Sequence, residues 1–154
     1  MSIDKVRNEF RKKGIADRII ELDSSTATVS LAAAALKVEE GRIAKTMSFI
    51  TKDGPILIVT AGDVRIDNHA YKELFHVKAR MIAPEDVESI IGHRIGGVCP
   101  FAVNEGVKIY LDDSLRRFST VFPACGSENS AIELSLDELQ SLSGSSEWIN
   151  VTKD

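Results

Sequence analysis

Three short stretches of the chain hold the residue types from which a site is built. In "RIAKTMSF" (42–49) a lysine, Lys45, followed by Thr46, sits inside what otherwise reads as an apolar strand. In "GHRIGGVCPF" (92–101) glycines, a cysteine and a proline crowd into one loop. In "PACGSENSAIEL" (123–134) a strand breaks into small and polar residues and then resumes. Side chains alternate across a strand, so Lys45 shares a face with Ile43, Met47 and Phe49, while Ala44, Thr46, Ser48 and Ile50 take the other. A buried, unpaired ammonium is costly. Lys45 therefore snorkels, pairs with a carboxylate, or faces a wet polar cleft. Gly96 and Gly97 bare their backbone amides to a ligand, and Pro100 stiffens the exit of the loop. Each stretch also has an ordinary reading: a structural ion pair, a turn between elements, an interrupted strand.

Other chemistries find less support. Cys99 and Cys125 lie in the second and third stretches, but no acid–base partner is spaced to activate either, and a free cysteine commonly behaves as a small buried residue. His93 is carried by a loop and would titrate near neutrality, whereas His69 and His76 flank a surface helix. There is no phosphate-binding loop, dinucleotide fingerprint, metal-ligand helix or nucleophile elbow. Two isolated cysteines are too few for a disulfide framework or a zinc site. Neither a cofactor nor a metal is expected.

The elements that must position these stretches read as an α+β domain around a mixed sheet, one domain covering residues 1–154. A helix is predicted from Ser2, as cap, to Gly14, with Ile3, Val6 and Phe10 as its apolar stripe and a basic outer face that could meet RNA. A strand follows at 18–22, then an Ala-rich helix at 28–41 capped by Thr28, and a hairpin whose turn is "KDG". Helices are predicted at 67–75 and 83–92, a strand at 106–113 and a helical turn after it. Strands surround the third stretch, with a helix at 135–142 and a closing strand in "EWINVTK". The composition, 44% hydrophobic and 27% charged, is that of a soluble globular protein. The net charge of −4 argues against DNA or any nucleic acid held by bulk electrostatics but leaves room for a local patch. No apolar run is long enough for a membrane span, and the start "MSIDKVRNEF" lacks the apolar core of a signal peptide. The expected compartment is the cytoplasm.

The Ala-rich helix, "RIAKTMSF", "GHRIGGVCPF" and the small-residue loop leading into "AIEL" occur in an order and spacing that resembles the YbaK/prolyl-tRNA synthetase-associated domain family, over nearly the whole chain. The "KT" within a strand and the "GGVxPF" loop are the most specific pieces. The resemblance implies a mixed, barrel-like sheet with flanking helices. It also implies hydrolysis, in trans, of the ester between a wrong amino acid and the terminal ribose of a tRNA, commonly tRNA(Pro). Lys45 falls on the family's essential lysine, beside Thr46. Gly96, Gly97, Val98, Cys99, Pro100 and Phe101 fall on its glycine-to-proline loop, which holds the aminoacyl group. Ala124, Gly126, Ser127 and Ala131 are expected to complete the wall opposite Lys45. The implied partners are the acceptor end of a mischarged tRNA and prolyl-tRNA synthetase.

One departure bears on specificity. Relatives selective for the cysteinyl ester carry a glycine-rich, basic loop and an aspartate just before the "IEL" strand, where this chain has "ACGSENSA" with Ala131 at the aspartate's place. Alanine, serine, threonine or a small non-protein amino acid then remain open alongside cysteine. The competing reading is a non-catalytic module that keeps the pocket and docks on a synthetase or another protein.

Overall fold

A computed structural model describes residues 2–145 and 147–154. Helix α1 (Ser2–Lys12) buries Ile3, Val6 and Phe10, as their spacing requires. Ser2 lies inside the helix rather than ahead of it, and its hydroxyl donates to the Gly92 carbonyl at 3.4 Å. It ties α1 to a distant loop instead of capping it. The basic face is partly committed within the chain: Lys5 donates to the same carbonyl and Arg7 pairs with Glu21. Strand β1 (Ile20–Glu21) is much shorter than the predicted 18–22. Helix α2 (Val29–Leu36) is capped by Thr28, whose side chain accepts from the Leu31 N–H. It ends at Lys37, in the left-handed region at φ 60°, short of the predicted Gly41. Glu39 and Glu40 would have faced the negative end of a longer helix.

Strands β2 (Ile43–Thr51) and β3 (Gly54–Ala61) form the predicted hairpin around the Lys52–Asp53 turn. Strand β4 (Arg65–Ile66) leads into α3 (Asn68–Phe75), capped by Asp67, and then α4 (Pro84–Ile91), with Pro84 in its first turn and Gly92 at φ 101° beyond its end. Strand β5 (Lys108–Asp112) runs into a 3-10 turn at Asp113–Arg117. Around the third stretch stand β6 (Thr120–Pro123), β7 (Ser130–Ala131) and β8 (Leu134–Ser135). Ser135 and Glu138 cap α5 (Leu136–Ser143) reciprocally. The last stretch holds two short strands, β9 (Trp148–Ile149) and β10 (Thr152–Lys153), not one. Asp112 causes the break: its buried carboxylate accepts from the Val151 N–H at 2.9 Å and the Thr152 hydroxyl at 2.8 Å, which turns the chain away from β5.

The mixed sheet has the order β8-β6-β2-β3-β5-β9 and curls into a half-barrel, with small ribbons β1–β7 and β4–β10 beside it. Strand β2 pairs antiparallel with β3 from Ala44↔Ala61 to Thr51↔Gly54. On its other edge it meets β6 in parallel only at Ile43 and Ala44, and Met81 only at Phe49. Among the described residues, nothing pairs with that edge from Lys45 to Met47. Because Thr51↔Gly54 closes a two-residue turn, the odd-numbered residues of β2 direct their backbone groups to β3. Thr46 and Ser48 direct theirs outward, and the Ser48 carbonyl accepts from the Ile82 N–H at 3.1 Å.

The predicted alternation holds. Met47 and Phe49 pack with Ile56, Ile58, Tyr71 and Tyr110 on one side of the sheet. Ala44 and Ile50 face the larger core of Val6, Phe10, Leu57 and Val59 on the other. Tyr71 is fully buried between Phe49 and Phe75, at ring-centroid distances of 5.2 and 4.7 Å, and its hydroxyl has no hydrogen-bond partner among the described residues. Removing a buried hydroxyl that has no partner relieves its desolvation cost while the ring contacts remain. Tyr71→Phe should therefore leave urea stability unchanged or raise it by about 1 kcal/mol; a loss larger than that would show that the hydroxyl is bonded in the native protein.

Candidate functional site

Where β6 parts from β2, the sheet opens into a cavity of about 550 Å³. Its walls are α2, the start of α4, residues 43–48 of β2, and parts of the second and third stretches. It reaches both faces of β2 because the edge between them is open. Lys45 is the one charged side chain among the described residues that line it. Its Nζ donates to the Val64 carbonyl at 2.7 Å and makes no ion pair among the described residues. Burial lowers the pKa of this ammonium from the ordinary 10.5, and the nearby Asp63 carboxylate partly offsets that. Asp63 itself is gripped by the Arg117 fork, Nη1 to Oδ2 at 3.0 Å and Nη2 to Oδ1 at 2.5 Å, which holds its carboxyl below the usual range. On the opposite face of the strand, the Thr46 Oγ1 is buried and has no hydrogen-bond partner among the described residues. An ammonium and a hydroxyl thus flank an open strand edge, in a largely apolar lining to which Thr26, Thr28, Ser48 and Ser130 add further hydroxyls.

Of the residues expected from sequence, Lys45, Thr46, Gly96, Val98, Ala124 and Ala131 line this cavity. Gly97, Cys99, Pro100, Phe101, Gly126 and Ser127 do not line it. A Cβ on Gly97 would come within 2.7 Å of the Gly126 and Ser127 backbone, so that glycine lets the second and third stretches touch. Gly126, at φ +96°, meets the Ser2–Ile3 backbone in the same way. Phe101 is buried edge-on against Phe10, with centroids 5.0 Å apart. The Ser127 hydroxyl is engaged with Ser130 at 2.7 Å. Cys99 is fully buried at 3.5 Å from His93 Nε2, and Pro100 is buried beside it. His93 is likewise buried, with Nε2 at 2.6 Å from the Phe101 carbonyl, and burial lowers its pKa. That corrects the expectation of a loop histidine titrating near neutrality.

Sequence reasoning missed the wall opposite β2. Val29, Ala32 and Leu36 present α2 to the cavity, and Pro84 and Val87 present α4. The signal was faint: a run of alanines in α2 hides which face is turned inward. The rim carries Met81 and Ile95, each 59% exposed.

Residues 23–142 match the family of aminoacyl-tRNA editing domains. The chain belongs to that family. As an editing domain it is 49% identical, over its whole length and 99% of the other chain, to the uncharacterized protein YwhH of Bacillus subtilis. It is 29% identical, over 71% of its length and 68% of the other chain, to EbsC of Enterococcus faecalis, provisionally named a Cys-tRNA(Pro)/Cys-tRNA(Cys) deacylase. A crystal structure described, also provisionally, as a trans-editing enzyme for prolyl tRNA synthetase superposes with TM-score 0.88 at 28% identity, covering 99% of this chain and 98% of that one. No helix among the described residues of the editing domain is long and apolar enough to cross a membrane.

Two measurements check the buried loop. Burial pushes the Cys99 thiol up to about 12 and the Cys125 thiol higher still, so both should resist a thiol-reactive dye in the folded editing domain and react at once in denaturant. Rapid native labelling would place one of them at an accessible site. The second concerns His93. Its folded pKa lies below the ordinary 6.5, so the unfolded chain binds more protons as pH falls through that value, and stability present above it is lost below it. Urea stability should decline between pH 7 and pH 5, by at most about 1.4 kcal/mol per pH unit from this group, and His93→Gln should flatten that slope.

Proposed function

We propose that this editing domain is a free-standing aminoacyl-tRNA deacylase that hydrolyses the ester of a mischarged small amino acid, with tRNA(Pro) as its carrier. The observation that carries this reading is Lys45: among the described residues, an ammonium at an unpaired strand edge, in a cavity with no other charged lining. Water adds to the ester carbonyl carbon, and negative charge builds on the carbonyl oxygen. The bond to the ribose oxygen then breaks, that oxygen takes up a proton, and a free amino acid and an uncharged tRNA leave. Lys45 and outward-facing backbone N–H groups supply the stabilisation of the oxyanion, which is strongest where water is excluded. The lining holds no histidine and no carboxylate among the described residues, so the proton is moved by water with help from the substrate's own ribose hydroxyl. The names of EbsC and of the superposing structure point to the same chemistry and to prolyl-tRNA synthetase as the enzyme whose errors are corrected.

The amino-acid side chain meets Ala32, Ala83, Ala124, Ala131 and Gly96, a wall of small apolar residues. It suits alanine-, serine- or threonine-sized groups, and Ala131 leaves no acidic partner for a more specialised one. Bulk is refused by overlap, which discriminates more strongly than the loss of a methylene. Proline must be refused too, since its ester is the correct one. Because net charge is −4, tRNA should bind weakly and fall off steeply with salt.

The test is hydrolysis of alanyl-, seryl-, threonyl-, cysteinyl- and prolyl-tRNA(Pro) at one salt concentration, with Lys45→Ala beside the wild type. A small mischarged species should be cleaved and prolyl-tRNA spared. Lys45→Ala should lower kcat by roughly 100- to 1,000-fold, the cost of one oxyanion donor, with its circular dichroism spectrum intact. The wild-type rate, corrected for spontaneous hydrolysis, should begin to fall at a pH below the ordinary lysine value. Rapid cleavage of prolyl-tRNA, or no cleavage of any small species, would favour the binding-module reading.

A further inference from the structure

Lys45 has a carboxylate neighbour that it does not pair with. Asp63 is close enough for each group to shift the titration of the other. Yet among the described residues the Asp63 ion pair is with Arg117, and the Lys45 ammonium bonds the adjacent Val64 carbonyl instead. The arrangement is built from several sides. Gly41 and Gly62 have no room for a Cβ: at Gly41 it would lie 2.9 Å from the Asp63 carboxylate, and at Gly62 2.3 Å from the Glu40 carbonyl. The Ala61 N–H donates to Ser114 Oγ at 3.0 Å, which ties the end of β3 to the 3-10 turn that carries Arg117. The Arg117 guanidinium also lies 4.8 Å from the centre of the Phe118 ring. Two parallel N–H···O bonds hold a carboxylate in one orientation better than a single ammonium can.

We propose that Arg117, which does not line the cavity, is a positioning residue for Lys45, and that it acts by holding the Asp63 carboxylate away from the ammonium. The inference rests on the deacylase reading for its consequence, though not for its geometry. Without the fork, Asp63 is free to swing onto Lys45. The ammonium would then stay charged but would be pinned in a direct ion pair and lost to the ester oxygen. With the fork, Asp63 favours the charged lysine from a distance while the ammonium donates one hydrogen to Val64 and keeps the others for a ligand. Among the described residues, the charged groups that bear on this cluster are Lys45, Asp63 and Arg117 themselves, together with Glu39 and Asp154, whose charges act on Arg117 through space.

The logic gives a test that a merely structural role would not pass. Removing Arg117 should be harmful only while Asp63 is there to misdirect. Arg117 is 48% exposed, so its truncation leaves the core untouched. The full chain is compared as wild type, Arg117→Ala, Asp63→Asn and the double variant. Each is assayed on the mischarged tRNA that the wild type cleaves fastest, and the Lys45 ammonium is titrated by the carbon-13 shift of its Cε, assigned against Lys45→Ala. Arg117→Ala should lower kcat about tenfold or more with KM nearly unchanged, as loss of a transition-state interaction does, and should raise the Lys45 pKa. Asp63→Asn should lower that pKa. The double variant should recover to the rate of Asp63→Asn alone. An unchanged rate in Arg117→Ala, an unchanged Lys45 titration in that variant, or a double variant no faster than Arg117→Ala overturns the proposal. A wild type that cleaves no tRNA overturns the deacylase reading instead, and the Lys45 titration then decides the positioning of the ammonium by itself.

Discussion

Strand β2 is paired from Ala44 to Thr51 on one side and, among the described residues, only near its ends on the other, and the rest of the site follows from that asymmetry. Backbone groups at an open strand edge must find partners or face solvent. Here β6 leaves at Pro123, a residue with no N–H to offer the ladder, and Met81 returns only at Phe49. The edge between them becomes the floor of a cavity instead of a seam. Both faces of one strand thereby reach one space, so Lys45 and Thr46, which alternation sends in opposite directions, can address the same ligand.

The second determinant is the company that the ammonium keeps. A cation in apolar surroundings is poorly solvated, and burial pulls Lys45 toward the neutral amine. A direct carboxylate partner would cure this and also occupy the group. The structure takes a middle course: one backbone carbonyl at hydrogen-bond distance, and one carboxylate nearby but engaged elsewhere. Electrostatic stabilisation of a developing charge works best when the donors are fixed before the charge appears, and on the proposed reading both the Val64 carbonyl and the Arg117 fork serve that end.

Much of this was legible in the sequence because it depends on local pattern. The β2–β3 hairpin, the caps at Thr28 and Ser135, and Pro84 and Gly92 around α4 are set by residues a few positions apart. So was the oddity of Lys45, since a charge on an apolar strand face shows in simple alternation. What the sequence concealed depends on distant contacts. Gly97 reads as a ligand-facing glycine until Gly126 is found against it, and Gly126 in turn is explained by the backbone of Ser2 and Ile3. Cys99 and Phe101 belong to the same motif as Gly96 and Val98, yet they point into the core against His93 and Phe10. A turning loop divides its residues between cavity and core, and spacing alone does not say which. Asp63 and Arg117 were invisible for the same reason.

The hairpin and the opening beside it also belong to different moments in the life of the chain. Strands β2 and β3 are joined by a two-residue turn and need only local closure, which takes microseconds in isolated hairpins. The pairing of Ile43 with Phe122 must wait until a long intervening stretch has been ordered, and non-local parallel pairings form slowly. These tendencies would put the lysine in its strand before it has a pocket around it. On this order of events the cavity is a late product of folding, and a chain caught short of β6 docking would display more of the unpaired backbone edge of β2 to other strands in solution.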